Sequence, residues 1–125
     1  MTRSVSTFLM FEGNAEDAMR LYEKVVPGAE ITTLEHRNDG KVQRGEMTMC
    51  GHTVRFFDSP GHHEFTFTAS TSLFVECDTE DELDQLFAAL SDGGTVFMPL
   101  QGYDFSTKFG WCSDRFGVSW QLNLA

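Results

Sequence analysis

The chain has 125 residues, a mass of 14.1 kDa and 41% hydrophobic content, enough for one compact domain or for two small modules sharing a core. Nineteen Asp and Glu against nine Lys and Arg give a formal charge of -10, which argues against electrostatic recognition of nucleic-acid backbones or anionic membranes. The first apolar run, residues 8–11, is too short for a signal h-region or a transmembrane span. A cytoplasmic protein is therefore expected, and Cys50, Cys77 and Cys112, which lack a C-x-x-C spacing, read as reduced thiols and not as a disulfide framework or zinc knuckle.

Residues 6–12 form a short β-prone run, followed by Gly13-Asn14 and then by AEDAMRLYEKVV. There Ala15, Ala18, Met19, Tyr22, Val25 and Val26 recur at helical spacing. Asn14 is placed to cap this helix, Glu16 and Asp17 suit its positive first turn, and Pro27-Gly28 stops it. EITTLEHR, QRGEMTMCG and HTVRFFD then read as β-type stretches, with hairpin turns at Asn38-Asp39-Gly40 and Cys50-Gly51-His52. This half predicts β-α-β-β-β.

After the polar connection SPGHHEFTFTAS the pattern begins again. SLFVECDTEDELDQLFAALSDGG predicts a strand, a cap at Asp78 and a helix, and a constant offset sets Glu12 on Glu76, Met19 on Leu83 and Val26 on Leu90. TVFMPLQ, FSTKFGWCS and GVSWQLNL supply three more β-type stretches; the last matches HTVRFFD at a slightly larger offset, with Gly51 on Gly117 and Arg55 on Gln121. The expected fold is α+β, one domain of two β-α-β-β-β modules, about 5–60 and about 70–125, with curved mixed sheets. A helix would cover the outer face of each sheet and leave the space between the sheets as the candidate site.

FLMFEGNAEDAMRLYEKVVPGAEI, FVECDTEDELDQLFAALSDGG and GWCSDRFGVSWQLNL together resemble the PhnB-like group of the glyoxalase/bleomycin-resistance/dioxygenase (vicinal oxygen chelate) superfamily, over essentially the whole chain. The resemblance implies paired β-α-β-β-β modules, a homodimer and a small-molecule cavity. It also brings a label, 3-demethylubiquinone-9 3-methyltransferase-like. Enzymes of the superfamily hold a divalent metal with His, Glu or Gln from the first and last strands of each module. Carried over residue by residue, those positions fall on Thr7 or Phe8, on Arg55, on Ser72 or Thr71, and on Gln121. Only Gln121 has a customary ligand side chain, so no metal and no cofactor is expected. For methyl transfer, Gly93-Gly94 follows a helix where a nucleotide-binding Gly-rich turn would open one.

The HHE run, His62 to Glu64, lies in a Gly/Pro-bearing loop where convergence on one ion would need a special backbone, and no cysteine has a base at a readable spacing. What remains is a cavity with aromatic walls, drawn from twelve Phe, two Trp and two Tyr, that takes a small organic ligand. The candidate lining is Arg55, Phe57, Trp111, Trp120 and Gln121. Arg55 would attract an anionic group, unless it pairs with Glu46 or Asp58, and Gln121 would orient the ligand through hydrogen bonds. The alternative is a metal-dependent lyase, isomerase or dioxygenase with differently placed ligands.

Overall fold

Strand β1 (Thr7–Phe11), helix α1 (Ala15–Val25) and strands β2 (Ala29–His36), β3 (Val42–Met49) and β4 (His52–Asp58) build the first unit of the protein. The structure is a computed structural model that describes residues 1–125, and the chain divides into two compact units, Met1–His63 and Glu64–Ala125. In unit 1 the sheet order is β1-β4-β3-β2, with β1 parallel to β4 and the other pairs antiparallel. Helix α1 lies on β2, β3 and β4. Its apolar stripe of Ala15, Ala18, Met19 and Tyr22 is buried together with alternate strand residues Leu9, Phe11, Val42, Met47, Val54 and Phe56. Gly45 permits the close crossing, since a Cβ there would stand 2.8 Å from the Met19 sulfur.

Asn14 occupies the N-cap of α1 but makes no side-chain cap bond. The cap comes instead from Asp58 at the end of β4, 1% exposed, whose Oδ1 accepts from the backbone N–H of Gly13 (2.8 Å) and Ala15 (3.0 Å) while Oδ2 accepts from Val42 N–H (2.9 Å). A buried carboxylate that meets three donors outcompetes a local amide side chain, because it satisfies the helix end and ties β3 and β4 to it at once. Arg37 closes the same corner by donating to the Asp58 carbonyl at 2.7 Å.

Unit 2 repeats this order with β5 (Ser72–Glu76), α2 (Glu80–Ser91), β6 (Thr95–Tyr103), β7 (Ser106–Ser113) and β8 (Ser119–Leu124). Its sheet order is β5-β8-β7-β6, again with the first pair parallel and the rest antiparallel. The cap of α2 is Thr79, not Asp78, and its hydroxyl accepts from Glu82 N–H at 3.2 Å. Leu83, Leu86, Phe87 and Leu90 of α2 are buried with Trp120 and Leu122 of β8 and Cys112 of β7. At Gly110 a Cβ would come within 2.5 Å of the Phe87 ring, so helix and sheet approach as closely as they do at Gly45. The buried Asp114 organises the β7–β8 loop by accepting from Phe116 N–H, Val118 N–H and Trp120 Nε1. No helix is long and apolar enough to cross a membrane.

Candidate functional site

Each helix covers one face of its sheet and leaves the other open. Strand pairing aligns side chains across that open face in rows, because neighbouring strands keep register and side chains alternate. In unit 1 the central row runs Phe8–Arg55–Glu46–Thr33 across the strands. In unit 2 the corresponding row runs Phe74–Gln121–Trp111–Met98. The same spacing separates Phe8 from Phe74 and Arg55 from Gln121, so the duplication carries both pairs.

The unit 1 row is charged and internally paired. Arg55 Nη1 donates to Glu46 Oε1 at 2.6 Å and Arg55 Nε to Ser6 Oγ at 3.0 Å. Glu46 Oε1 also accepts from Arg44 Nε (3.2 Å) and Nη2 (3.0 Å), so a single carboxylate oxygen holds two guanidiniums. Asp58, the other partner considered for Arg55, is committed to the α1 cap. Phe57 shares the open face and lies 6.3 Å, ring to ring, from Phe8. A cavity of about 390 Å³ is lined by Phe8, Gln43, Arg44, Arg55 and Phe57.

The unit 2 row is neutral and aromatic. A cavity of about 360 Å³ is framed by Phe74, Met98, Phe105, Phe109 and Trp111 around the amides of Gln121 and Asn123. Trp111 Nε1 donates to Ser119 Oγ (2.9 Å), Ser119 and Ser72 share a hydroxyl bond (2.7 Å), and Gln121 Nε2 donates to Ser72 Oγ over a long 3.4 Å. Phe74 is 55% exposed and Phe105 65%, large values for rings of this size.

Of the expected lining residues, the structure places Arg55 with Phe57 on one open face and Gln121 with Trp111 on the other. Trp120 is a correction. It is fully buried, and its Nε1 donates to Asp114 Oδ2 at 2.9 Å. Adjacent strand residues point to opposite faces, so an inward Gln121 sends Trp120 under α2. Phe74, Met98, Phe105 and Phe109 are not singled out by sequence reasoning, and Phe8 enters it only as a carried-over metal position, not as a lining residue. The available signal was strand alternation applied to β1 and β5, but only the pairing register shows which of their residues stand beside Arg55 and Gln121.

The register also decides the positions that superfamily metal ligands would occupy. Phe8, not Thr7, lies beside Arg55; the Thr7 hydroxyl instead meets His52 Nε2 at 2.8 Å. Beside Gln121 stands Phe74, with Ser72 one row away. Two phenyl rings, a guanidinium and a neutral amide do not suit a divalent cation, which needs several anionic or imidazole donors converging on it. No three His, Cys, Asp or Glu side chains are grouped to hold a metal elsewhere. In the HHE loop, His62 Nδ1 meets Glu12 Oε1 at 2.9 Å whereas His63 Nε2 meets Ser59 Oγ at 2.9 Å, so the two imidazoles serve different partners. Cys77 and Cys112 are buried, and that burial pushes both thiols up to about 11, away from nucleophilic use.

A family model described as 3-demethylubiquinone-9 3-methyltransferase matches residues 3–123. The chain belongs to that family. Among solved structures, a Bacillus cereus protein described as 3-demethylubiquinone-9 3-methyltransferase, PhnB protein, is 43% identical, with a TM-score of 0.94 and coverage of 98% of this chain and 100% of that one. Protein PA1353 from Pseudomonas aeruginosa is 24% identical with a TM-score of 0.86, covering 98% of each chain. The fosfomycin resistance protein FosX from Mesorhizobium loti, 12% identical, matches in fold with a TM-score of 0.67 over 100% of this chain and 94% of its own. The fold is thus the glyoxalase/bleomycin-resistance fold of the vicinal oxygen chelate proteins. Among curated proteins none matches the chain.

Proposed function

We propose that this family member is a small-molecule-binding glyoxalase-like protein that takes an organic ligand on its open sheet faces without the divalent metal of the superfamily enzymes. The observation that carries this reading is the unit 2 row, where an amide with unused hydrogen-bonding capacity sits inside an aromatic frame of five apolar side chains. Arg55 and Phe57 give unit 1 a second, cationic surface of similar size. The acidic chain takes no nucleic acid and acts in the cytoplasm as a homodimer, an expectation that rests on its composition and on sheet edges left open at β1, β2, β5 and β6.

The methyl transfer named in the family description has little support from these residues. The start of α1, where a cofactor's phosphate or carboxylate would be cradled, is closed by Asp58, and the start of α2 is closed by Thr79. Binding is tested by titrating a library of ring-bearing fragments into isotope-labelled protein and following amide shifts. Shifts confined to neither open face would sink the reading. Titration with Mn, Ni or Zn tests the metal-free part, and one ion held tightly per chain at Gln121 or Arg55 would overturn it.

A further inference from the structure

Both side-chain amides of the unit 2 cavity stand on β8, two residues apart, yet their hydrogen bonding differs. Asn123 is used at both ends, since its Oδ1 accepts from Ser106 Oγ and its Nδ2 donates to Glu76 Oε2 at 2.9 Å. Gln121 makes only the long bond from Nε2 to Ser72 Oγ, which leaves Oε1 and one N–H open to the cavity.

The hydroxyls beside Gln121 have a defined direction. Ser119 is 1% exposed and its oxygen already accepts from Trp111 Nε1. Its own proton must go to Ser72 Oγ, the one remaining partner within reach, because a buried donor left unpaired is costly. Ser72 therefore accepts from both Ser119 and Gln121, and its own O–H proton has no acceptor within the chain. Ser72 is only half-buried and shares the open face with Phe74, so that proton is free to meet a ligand lying on that face. Trp111 and Ser119 are thus positioning residues for the Ser72 donor.

The surroundings disfavour charge. No charged side chain of either sign lines this cavity, so neither a cation nor an anion meets a counter-charge on its walls, and the chain's -10 further disfavours an anion. Building on the small-molecule reading above, we infer that unit 2 selects an uncharged planar ring with an adjacent hydrogen-bond donor and acceptor, as on the edge of a lactam. The ring packs among Phe74, Phe105, Phe109 and Trp111. The ligand's donor meets Gln121 Oε1, and its acceptor takes a proton from the Gln121 amide or the Ser72 hydroxyl.

Three probes of equal ring area separate the possibilities in the full-length protein: 2-quinolinone, its N-methyl derivative, which lacks the donor, and 2-naphthoate, which is anionic. The expected result is that 2-quinolinone shifts the Gln121 side-chain amide and Trp111 indole resonances and binds about tenfold more tightly than the N-methyl compound, the worth of a neutral hydrogen bond. Gln121→Met should abolish the difference between the two compounds, so that 2-quinolinone binds the variant no more tightly than its N-methyl derivative does. Ser72→Ala, a second and milder variant, should weaken 2-quinolinone about threefold. Equal binding of 2-quinolinone and its N-methyl derivative, or tightest binding of 2-naphthoate with shifts of the Gln121 and Trp111 resonances, would overturn the inference and leave the small-molecule reading standing. Absence of shifts on either open face with all three probes would overturn both.

Discussion

Unit 1 and unit 2 share an order of elements, a sheet order and a parallel first strand pair, yet the two central rows of their open faces have opposite chemistry. Phe8–Arg55–Glu46–Thr33 satisfies itself through an ion pair of 2.6 Å, and Phe74–Gln121–Trp111–Met98 leaves its polar group available. A duplicated scaffold keeps what packs a helix on a sheet and is free to vary what faces away from it. The helix sides show the constraint plainly: both units place a glycine on their third strand under a bulky helix residue, Met19 over Gly45 and Phe87 over Gly110.

The two buried carboxylates give the sharpest way to break the comparison. Asp58 and Asp114, 1% and 2% exposed, each accept three N–H groups, but Asp58 joins a helix start to two strands while Asp114 serves one loop and a tryptophan. Asp58→Ala is expected to cost about 4 kcal/mol and Asp114→Ala about 3 kcal/mol, measured by urea unfolding, since each leaves buried donors unpaired. Hydrogen exchange should show Asp58→Ala releasing the amides of α1 and β3. Full protection there would mean that the cap is dispensable.

The glycine pair comes next. Gly110→Ala drives a methyl to 2.5 Å from an aromatic ring and should cost about 3 kcal/mol, whereas Gly45→Ala meets a flexible methionine and should cost about 1 kcal/mol. Equal costs would show that Phe87 moves as readily as Met19. Smaller still is Arg55→Gln, with an expected loss of about 0.5 kcal/mol that shrinks further in high salt, because the Arg55 side chain is 42% exposed and Arg44 remains on Glu46.

The smallest effect is on acid stability. Hydrogen bonds from His62 and His36 hold the carboxyls of Glu12 and Glu16 below their ordinary value of 4.5. A lowered carboxyl contributes stability above its unfolded value, and that contribution disappears as the pH falls through the folded one. Both groups are in unit 1, so Glu12→Gln with Glu16→Gln should flatten the dependence of the unfolding midpoint below pH 4.5, where unit 1 amides are followed by exchange. An unaltered acid limb would assign that limb to other carboxylates.

The sequence by itself determined the elements and their duplication. Helical spacing at Ala15, Ala18, Met19 and Tyr22, the stop at Pro27-Gly28 and the β-type stretches on either side are local signals, and local signals survive without knowledge of neighbours. The family motif around GNAEDAM and DRFGVSWQ was legible for the same reason, and with it the fold. Much of the site was not. Asn14 and Asp78 were reasonable caps by position, but Asp58 reaches α1 from a strand more than forty residues away, and Thr79 is set one residue closer to the donors of α2. Trp120 is expected in the lining together with Gln121, yet the pleat of β8 puts the two on opposite faces and buries Trp120. That Phe74 and Trp111 flank Gln121 while Glu46 disarms Arg55 is a fact of register. Register is a relation between strands, set by which faces are buried and which turns join them, so only the tertiary structure decides it.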